Sequence, residues 1–236
     1  QSNYPFEEKA LILINPEKTA TFPVYLRIPG WAVNPVITVN GESVPAKSGE
    51  FLKVERTWKS GDKIELNLSS AVQLETRYNN AVAVVKGPLY FSIRIPKKFT
   101  PITITHSYQY MGSTDFQIEP TADWNFGLVV DPADPAKSFE VVNNPIGKYP
   151  FGDRGDLVYN PSLNAFDTLD INPPIMLRVK GKKIPGWGIV NNSAGPTPYS
   201  PVVLPVETDN NPSLQNIELV PYASARLRVS EIPVVK

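Results

Sequence analysis

The chain has 236 residues, and its 23 Lys+Arg balance 23 Asp+Glu, so the formal net charge is zero. That balance excludes charge-driven binding of nucleic acid or of an anionic membrane surface. With no cysteine and a single histidine, disulfides, thiolate nucleophiles, Cys-ligated zinc and multi-histidine metal sites are also excluded. No apolar run reaches the roughly 18 residues of a membrane span, and Gln1 is not followed by the basic and apolar regions of a signal peptide. The 25 prolines, about twice the usual share, are spread along the chain and mark turns and strand edges.

Leu11 to Ile14 is a short apolar run closed by Asn15-Pro16. The strongest strand signal follows in Phe22 to Trp31. Val24, Leu26 and Ile28 alternate with Tyr25 and Arg27, the period of a half-buried strand. Pro29-Gly30 ends it and leaves Trp31 at the sheet end. Val36 to Val39 and Glu42 to Val44 flank Asn40-Gly41, the dipeptide that suits a type I′ hairpin turn because both central residues need positive φ. Phe51 to Val54 is a further strand. Arg56-Thr57-Trp58-Lys59-Ser60-Gly61-Asp62 is a turn carrying a buried-type aromatic. Beyond it Ile64, Leu66 and Leu68 alternate with polar residues. Ala81 to Val85 is continuously apolar, and Gly87-Pro88 separates it from Leu89 to Ile93.

Pro96 to Pro101 reads as a boundary, polar and proline-flanked. A second β-rich stretch then runs through Asp123 to Asp131 and Phe139 to Val142. Residues 143–174, rich in Asn, Asp, Pro and Gly, read as a long surface loop held down by Tyr149, Phe151, Tyr159 and Phe166. Ile175 to Val179 resumes the strand pattern. Ile184-Pro185-Gly186-Trp187 repeats Ile28-Pro29-Gly30-Trp31. The repeat fits either two related sandwiches or coincidence in a proline-rich β chain. The chain closes on Ile217 to Tyr222 and on Ala223 to Val229, where Ala223, Ala225, Leu227 and Val229 alternate with Ser224, Arg226 and Arg228. Short strands at 8–12-residue spacing without helical stretches between them predict an all-β protein of two tandem antiparallel β-sandwich, jelly-roll-like units. Their expected bounds are 1–97 and 98–236, the second with the loop 143–174.

Taken in order, several stretches resemble the C-terminal part of glycoside hydrolase family 127. They are Tyr4-Pro5-Phe6, Tyr25 to Ala32, Val39 to Glu42, Arg56 to Asp62, Val85 to Tyr90, Asp123 to Phe126, Ile184 to Trp187, Leu219 to Tyr222 and Arg226 to Val229. That family includes β-L-arabinofuranosidases. The resemblance implies that the chemistry belongs to an N-terminal (α/α)6 barrel with a cysteine-ligated zinc, a cysteine nucleophile and a glutamate acid/base, and that β-sandwich domains follow it. The start of this chain looks like the junction just after such a barrel. Without cysteine, none of the family's catalytic residues can be carried over to a position here.

The expected function is therefore a non-catalytic β-sandwich appendage of a family 127-like glycosidase. It would support the barrel, with dimer contacts or the substrate entrance as further roles. Neither catalytic residues, cofactor nor metal is expected in this chain. The alternative is an independent carbohydrate-binding module that takes a plant-type glycan on exposed tryptophans, since sugar faces stack on indole. Trp31, Trp124 and Trp187, with Tyr25 and Arg27, are the candidates for carbohydrate binding or interdomain contact. Against this, a tryptophan beside Pro-Gly or Lys-Ser-Gly-Asp usually plugs a sandwich end, so core or corner is the better assignment, most strongly for Trp58 and less so for Trp31 and Trp187. Asp153, Asp156, Asp167 and Asp170 could cluster as a carboxylate pair or a calcium site, but Asp is first of all a turn former. Partners expected are the barrel, a second copy of the chain and a glycan, with no nucleic acid and no membrane. The resemblance favours a periplasmic or extracellular location over a cytoplasmic one.

Overall fold

The computed structural model describes all residues except 103–115, 132, 148–149, 152–156, 161–164, 169–172 and 205–212, and describes Pro101, 157–160 and 165–168 by backbone alone. The strands in chain order are β1 (Lys9–Ile14), β2 (Ala20–Arg27), β3 (Val36–Val39), β4 (Glu42–Val44), β5 (Phe51–Trp58), β6 (Asp62–Asn67), β7 (Val72–Thr76), β8 (Val82–Lys86), β9 (Leu89–Ile93), β10 (Lys97–Pro101), β11 (Phe116–Pro120), β12 (Phe126–Leu128), β13 (Phe139–Asn143), β14 (Leu157–Asn160), β15 (Ala165–Thr168), β16 (Ile175–Lys183), β17 (Ile189–Val190), β18 (Ser193–Ala194) and β19 (Gln215–Pro221). Among the described residues helix is confined to short 3-10 turns, and no helix is long and apolar enough to cross a membrane. The all-β, antiparallel expectation holds. The chain divides into unit 1, Gln1–Gln73 with Val85–Leu89, and unit 2, Leu74–Val84 with Tyr90–Lys236.

Unit 1 is a small sandwich. One layer is the antiparallel sheet β1-β6-β3-β4, and the other is the pair β2-β5. The alternation of β2 appears as written. Leu26 and Ile28 are buried, Val24 is half-buried, and Tyr25 and Arg27 face solvent. Across the gap Ile37, Val39, Ile64 and Leu66 present the complementary apolar set. Trp58 on β5 is completely buried, and its indole Nε1 donates to the Phe22 carbonyl at 2.9 Å. The large apolar ring is thereby enclosed without stranding its one donor. The β3-β4 turn takes Asn40 at φ 52° and Gly41 at φ 88°, the double positive φ of a type I′ turn.

Unit 2 is built on a larger sheet ordered β12-β16-β19-β9-β8-β7. β13 shares an edge of β16 with β12, pairing Phe139–Asn143 with Val179–Ile175, while β12 pairs with Gly181–Lys183. Gly181 is required here, because a Cβ would lie 2.7 Å from an Ile217 side-chain carbon and 2.8 Å from the Gly127 carbonyl oxygen. β8 is buried on both faces from Val82 to Val85, which explains its unbroken apolar run. A second sheet has the order β11-β10-β15-β14. The C-terminal segment adds an antiparallel bridge from Ile232 to Val82 and parallel bridges from Val234 to Leu128 and from Val235 to Val202.

Four expectations are revised. A boundary between 97 and 98 would cut β10, which pairs with β11 and carries a buried Phe99 packed edge-to-face on Phe116 at 6.0 Å. The strands β8 and β9, assigned from spacing to the first unit, pair within the large sheet, β9 with β19 from the far end of the chain, so that only Val85–Leu89 stay with unit 1. Residues 143–174 are not strandless, since they contain the β14-β15 hairpin, and Phe166 pairs with Phe99 of β10. Two four-residue strands among Asn, Asp and Pro are too short to register as periodicity. Finally, Ala223 to Val229 is not a strand. After Pro221 the chain makes a 3-10 turn, and the Arg228 Nε donates to the carbonyls of Ala225 (2.9 Å) and Tyr222 (3.3 Å). The segment closes on itself, although Ala225 and Val229 are still buried.

Candidate functional site

The two Ile-Pro-Gly-Trp corners place their tryptophans differently. At the first, the turn bond runs from the Ala32 N–H to the Pro29 carbonyl at 3.1 Å. Trp31 therefore sits inside the turn, half-buried against the unit 1 core. At the second, the bond runs from the Trp187 N–H to the Ile184 carbonyl at 3.0 Å, one residue earlier in the motif. Trp187 there is buried, donates from Nε1 to the Gly195 carbonyl at 2.9 Å, and meets Trp124 edge-to-face at 5.1 Å and 69°. The buried Asn125 amide donates to the carbonyls of both Ile184 (2.9 Å) and Trp187 (2.8 Å).

These positions correct part of the expected site. Trp124 and Trp187 are packed on each other and offer no open ring face, so the reading that they are exposed sugar platforms does not hold. Trp31 keeps a partly accessible ring. Tyr25 is 60% exposed and Arg27 is exposed as expected. The structure adds Phe51, 69% exposed, directly opposite Arg27 on β5. Tyr25 pairs with Lys53, which forms an ion pair with Glu55. The outer face of the β2-β5 pair thus displays two aromatic rings among Arg27, Lys53 and Glu55. Phe51 was legible in principle, because Phe51, Lys53, Glu55 and Thr57 alternate with Leu52, Val54 and Trp58.

Two polar networks brace unit 1. Glu8 Oε1 accepts from the Ser70 N–H (2.8 Å), the Ser70 hydroxyl (2.9 Å) and the Lys86 ammonium (2.7 Å). Burial pushes the Glu8 carboxyl up, but the Lys86 and Ser70 hydrogen bonds and the Lys86 charge outweigh it and hold the pKa below the ordinary value of 4.5. A Ser-Lys contact of 2.8 Å also occurs here. Lys86 thus closes a network with Glu8 and Ser70. Asp62 closes the turn after Trp58. It accepts from the Lys59 N–H at 2.9 Å and from the Asn40 amide at 3.0 Å, and the Lys59 bond leads the interactions that lower its pKa.

Of the other sequence candidates, Asp153, Asp156 and Asp170 lie outside the described residues, as does the single histidine, His106, and Asp167 is on β15 with only its backbone described. Among the described residues no three His, Asp or Glu side chains come together as a metal site would require.

The fold is thus an all-β chain of two antiparallel units. Residues 1–70 match the family model for the GH127 middle domain of β-L-arabinofuranosidases, so the resemblance read from the sequence holds for unit 1. The fold is similar over 100% of the chain to a solved glycoside hydrolase, at 20% identity and TM-score 0.54. It is similar over 99% to the GH127 β-arabinofuranosidase BT3674, at 16% identity and TM-score 0.53. A GH127 β-L-arabinofuranosidase from Geobacillus stearothermophilus T6 also matches over 100% of the chain, at 16% identity and TM-score 0.49. The chain spans 32%, 31% and 29% of those three structures, respectively. No curated protein matches.

Proposed function

We propose that this chain is the non-catalytic β-sandwich part of a GH127-type glycosidase and acts by bracing a catalytic (α/α)6 barrel. The observation that carries the reading is the middle-domain match over residues 1–70, supported by a fold that covers about a third of much longer glycoside hydrolases. A bracing role needs a surface to brace with, and the outer face of β2-β5 is suited to it. Tyr25 and Phe51 expose two large rings on a rigid strand pair, with Arg27, Lys53 and Glu55 to fix register. Interdomain surfaces of this mixed apolar and charged kind are typical within one chain.

The experiment compares the parent protein carrying a barrel with the 236-residue chain alone, using an aryl arabinofuranoside. Turnover is expected only with the barrel present. The double variant Tyr25→Ser/Phe51→Ser in the longer protein is expected to lower its melting temperature while leaving the isolated chain's melting temperature unchanged. Hydrolysis by the isolated chain, or a parent reading frame with no glycosidase domain, overturns the reading.

A further inference from the structure

Unit 2 carries an aromatic surface that the corner tryptophans do not account for. Tyr78 is 71% exposed and Tyr199 is 68% exposed, among the most exposed large side chains of the chain. They come from segments 121 positions apart, yet the two loops are tied together. Asn79 donates from its amide to the Thr197 carbonyl at 2.8 Å, and its own carbonyl accepts from the Ser200 N–H at 2.8 Å. The Asn80 amide donates to the Tyr199 hydroxyl at 3.0 Å and to the Ser200 carbonyl at 3.4 Å. Both asparagines hold positive φ, 54° and 55°, a conformation uncommon outside glycine that asparagine tolerates best. Ser200 is itself buried, and its hydroxyl accepts from the Val234 N–H at 3.0 Å. The loops are therefore fixed to the sheet while the two rings stay in water.

Beside Tyr78 in the chain, Arg77 is already engaged. Arg77 pairs with Glu75 at 2.5 Å, Tyr90 donates to the same carboxylate at 2.8 Å, and the Arg77 guanidinium lies 5.7 Å from the Tyr90 ring centre. An ionic ligand would have to break that cluster, so a neutral one is favoured. Exposed tyrosines on rigid loops among Asn, Ser and Thr make a surface with large amphipathic contact area and a small ordering cost on binding. A ligand that fits has flat C–H faces to lie on the rings and hydroxyls to bond phenols and amides.

We infer that the Tyr78–Asn79–Asn80 turn and the Thr197–Ser200 loop form a binding site for neutral oligosaccharides, with Tyr78 and Tyr199 as the stacking platforms. This site stands independently of the bracing role proposed for unit 1.

The test titrates the whole chain with arabino-, xylo- and cello-oligosaccharides by calorimetry and by NMR of ring-labelled tyrosine. Saturable binding is expected for at least one of them, with the Tyr78 and Tyr199 ring signals moving. The single variants Tyr78→Ala and Tyr199→Ala are each expected to weaken it about tenfold, the loss of one stacked ring, while Tyr25→Ala leaves it unchanged. Because Tyr199→Ala also removes a loop bond, Tyr199→Phe serves as its control: it lacks the hydroxyl but keeps the ring, and most of the affinity should return. If no saccharide binds below about 10 mM, or if binding persists unchanged in a folded Tyr78→Ala chain with unmoved tyrosine signals, the inference is overturned.

Discussion

Ile28–Trp31 and Ile184–Trp187 share four residues and diverge at the turn bond. In the first corner the bond closes from Pro29 to Ala32, and Trp31 is left half-buried beside Gly87, where a Cβ would lie 3.2 Å from the Ser70 hydroxyl and 3.6 Å from the Trp31 ring. In the second it closes from Ile184 to Trp187, and the ring goes inward onto Trp124 with its N–H satisfied. The first corner thus borders an ionic cluster, and the second is held by a neutral amide, Asn125. A local sequence can specify that a strand ends and an aromatic follows. Whether that aromatic is a surface residue or a core residue depends on the partners that distant chain segments supply.

The largest expected separation between the corners comes from removing the rings. Trp187→Ala should cost about 3–5 kcal/mol, the range for a fully buried aromatic, and Trp31→Ala about 1–2 kcal/mol, since part of that ring is in water already. Denaturant unfolding of each variant measures both, and equal costs would erase the distinction. Next, Asn125→Ala strips hydrogen bonds from two buried carbonyls and should cost about 2–3 kcal/mol. Ser48, whose hydroxyl donates to the Ala32 carbonyl at the partly exposed first corner, should cost less than about 1 kcal/mol when changed to Ala.

Acid should act on one corner only. Glu8 and Asp62 both have folded-state pKa values lowered below the ordinary ones, so their contribution is complete above the unfolded values and is lost as pH falls through the folded ones. Following the indole signals from about pH 6 to about pH 3 should show the Trp31 environment loosening below the ordinary glutamate value of 4.5 while Trp187 stays fixed. Glu8→Gln should remove much of that acid response. The smallest effect is expected at the glycines. Neither Gly30 nor Gly186 has a left-handed φ, and a Cβ at either meets nothing within 4 Å. Alanine at each should shift stability by about 0.5 kcal/mol or less, with a small gain possible from the less flexible unfolded chain. A large loss at one of them would mean that its glycine has a role the contacts do not show.

Much of unit 1 was legible because its signals are local. The β2 alternation, the Asn40-Gly41 turn and the buried character of Trp58 each depend on residues within a few positions. The interaction surfaces were harder to read. Tyr25 and Arg27 followed from alternation, but Phe51 joined them only through the β2-β5 register. Whether Trp124 and Trp187 are surface or core was not readable locally, because each depends on a partner 63 positions away, onto which its ring packs edge-to-face. Tyr78 and Tyr199 carried no signal as a pair, since nothing in either segment indicates that Asn79 and Asn80 reach the 197–200 loop.

By itself, the sequence determined the all-β class, the strand periods, most of the turns and the family resemblance of the first unit, because side-chain alternation and positive-φ turn residues act over short range. Only the tertiary structure decided where the units divide, which tryptophans are core and which tyrosines are tied into one surface. The physical reason is that β pairing joins segments far apart in the chain. β9 lies beside β19, and Asn80 reaches Tyr199, through hydrogen bonds that no local pattern encodes.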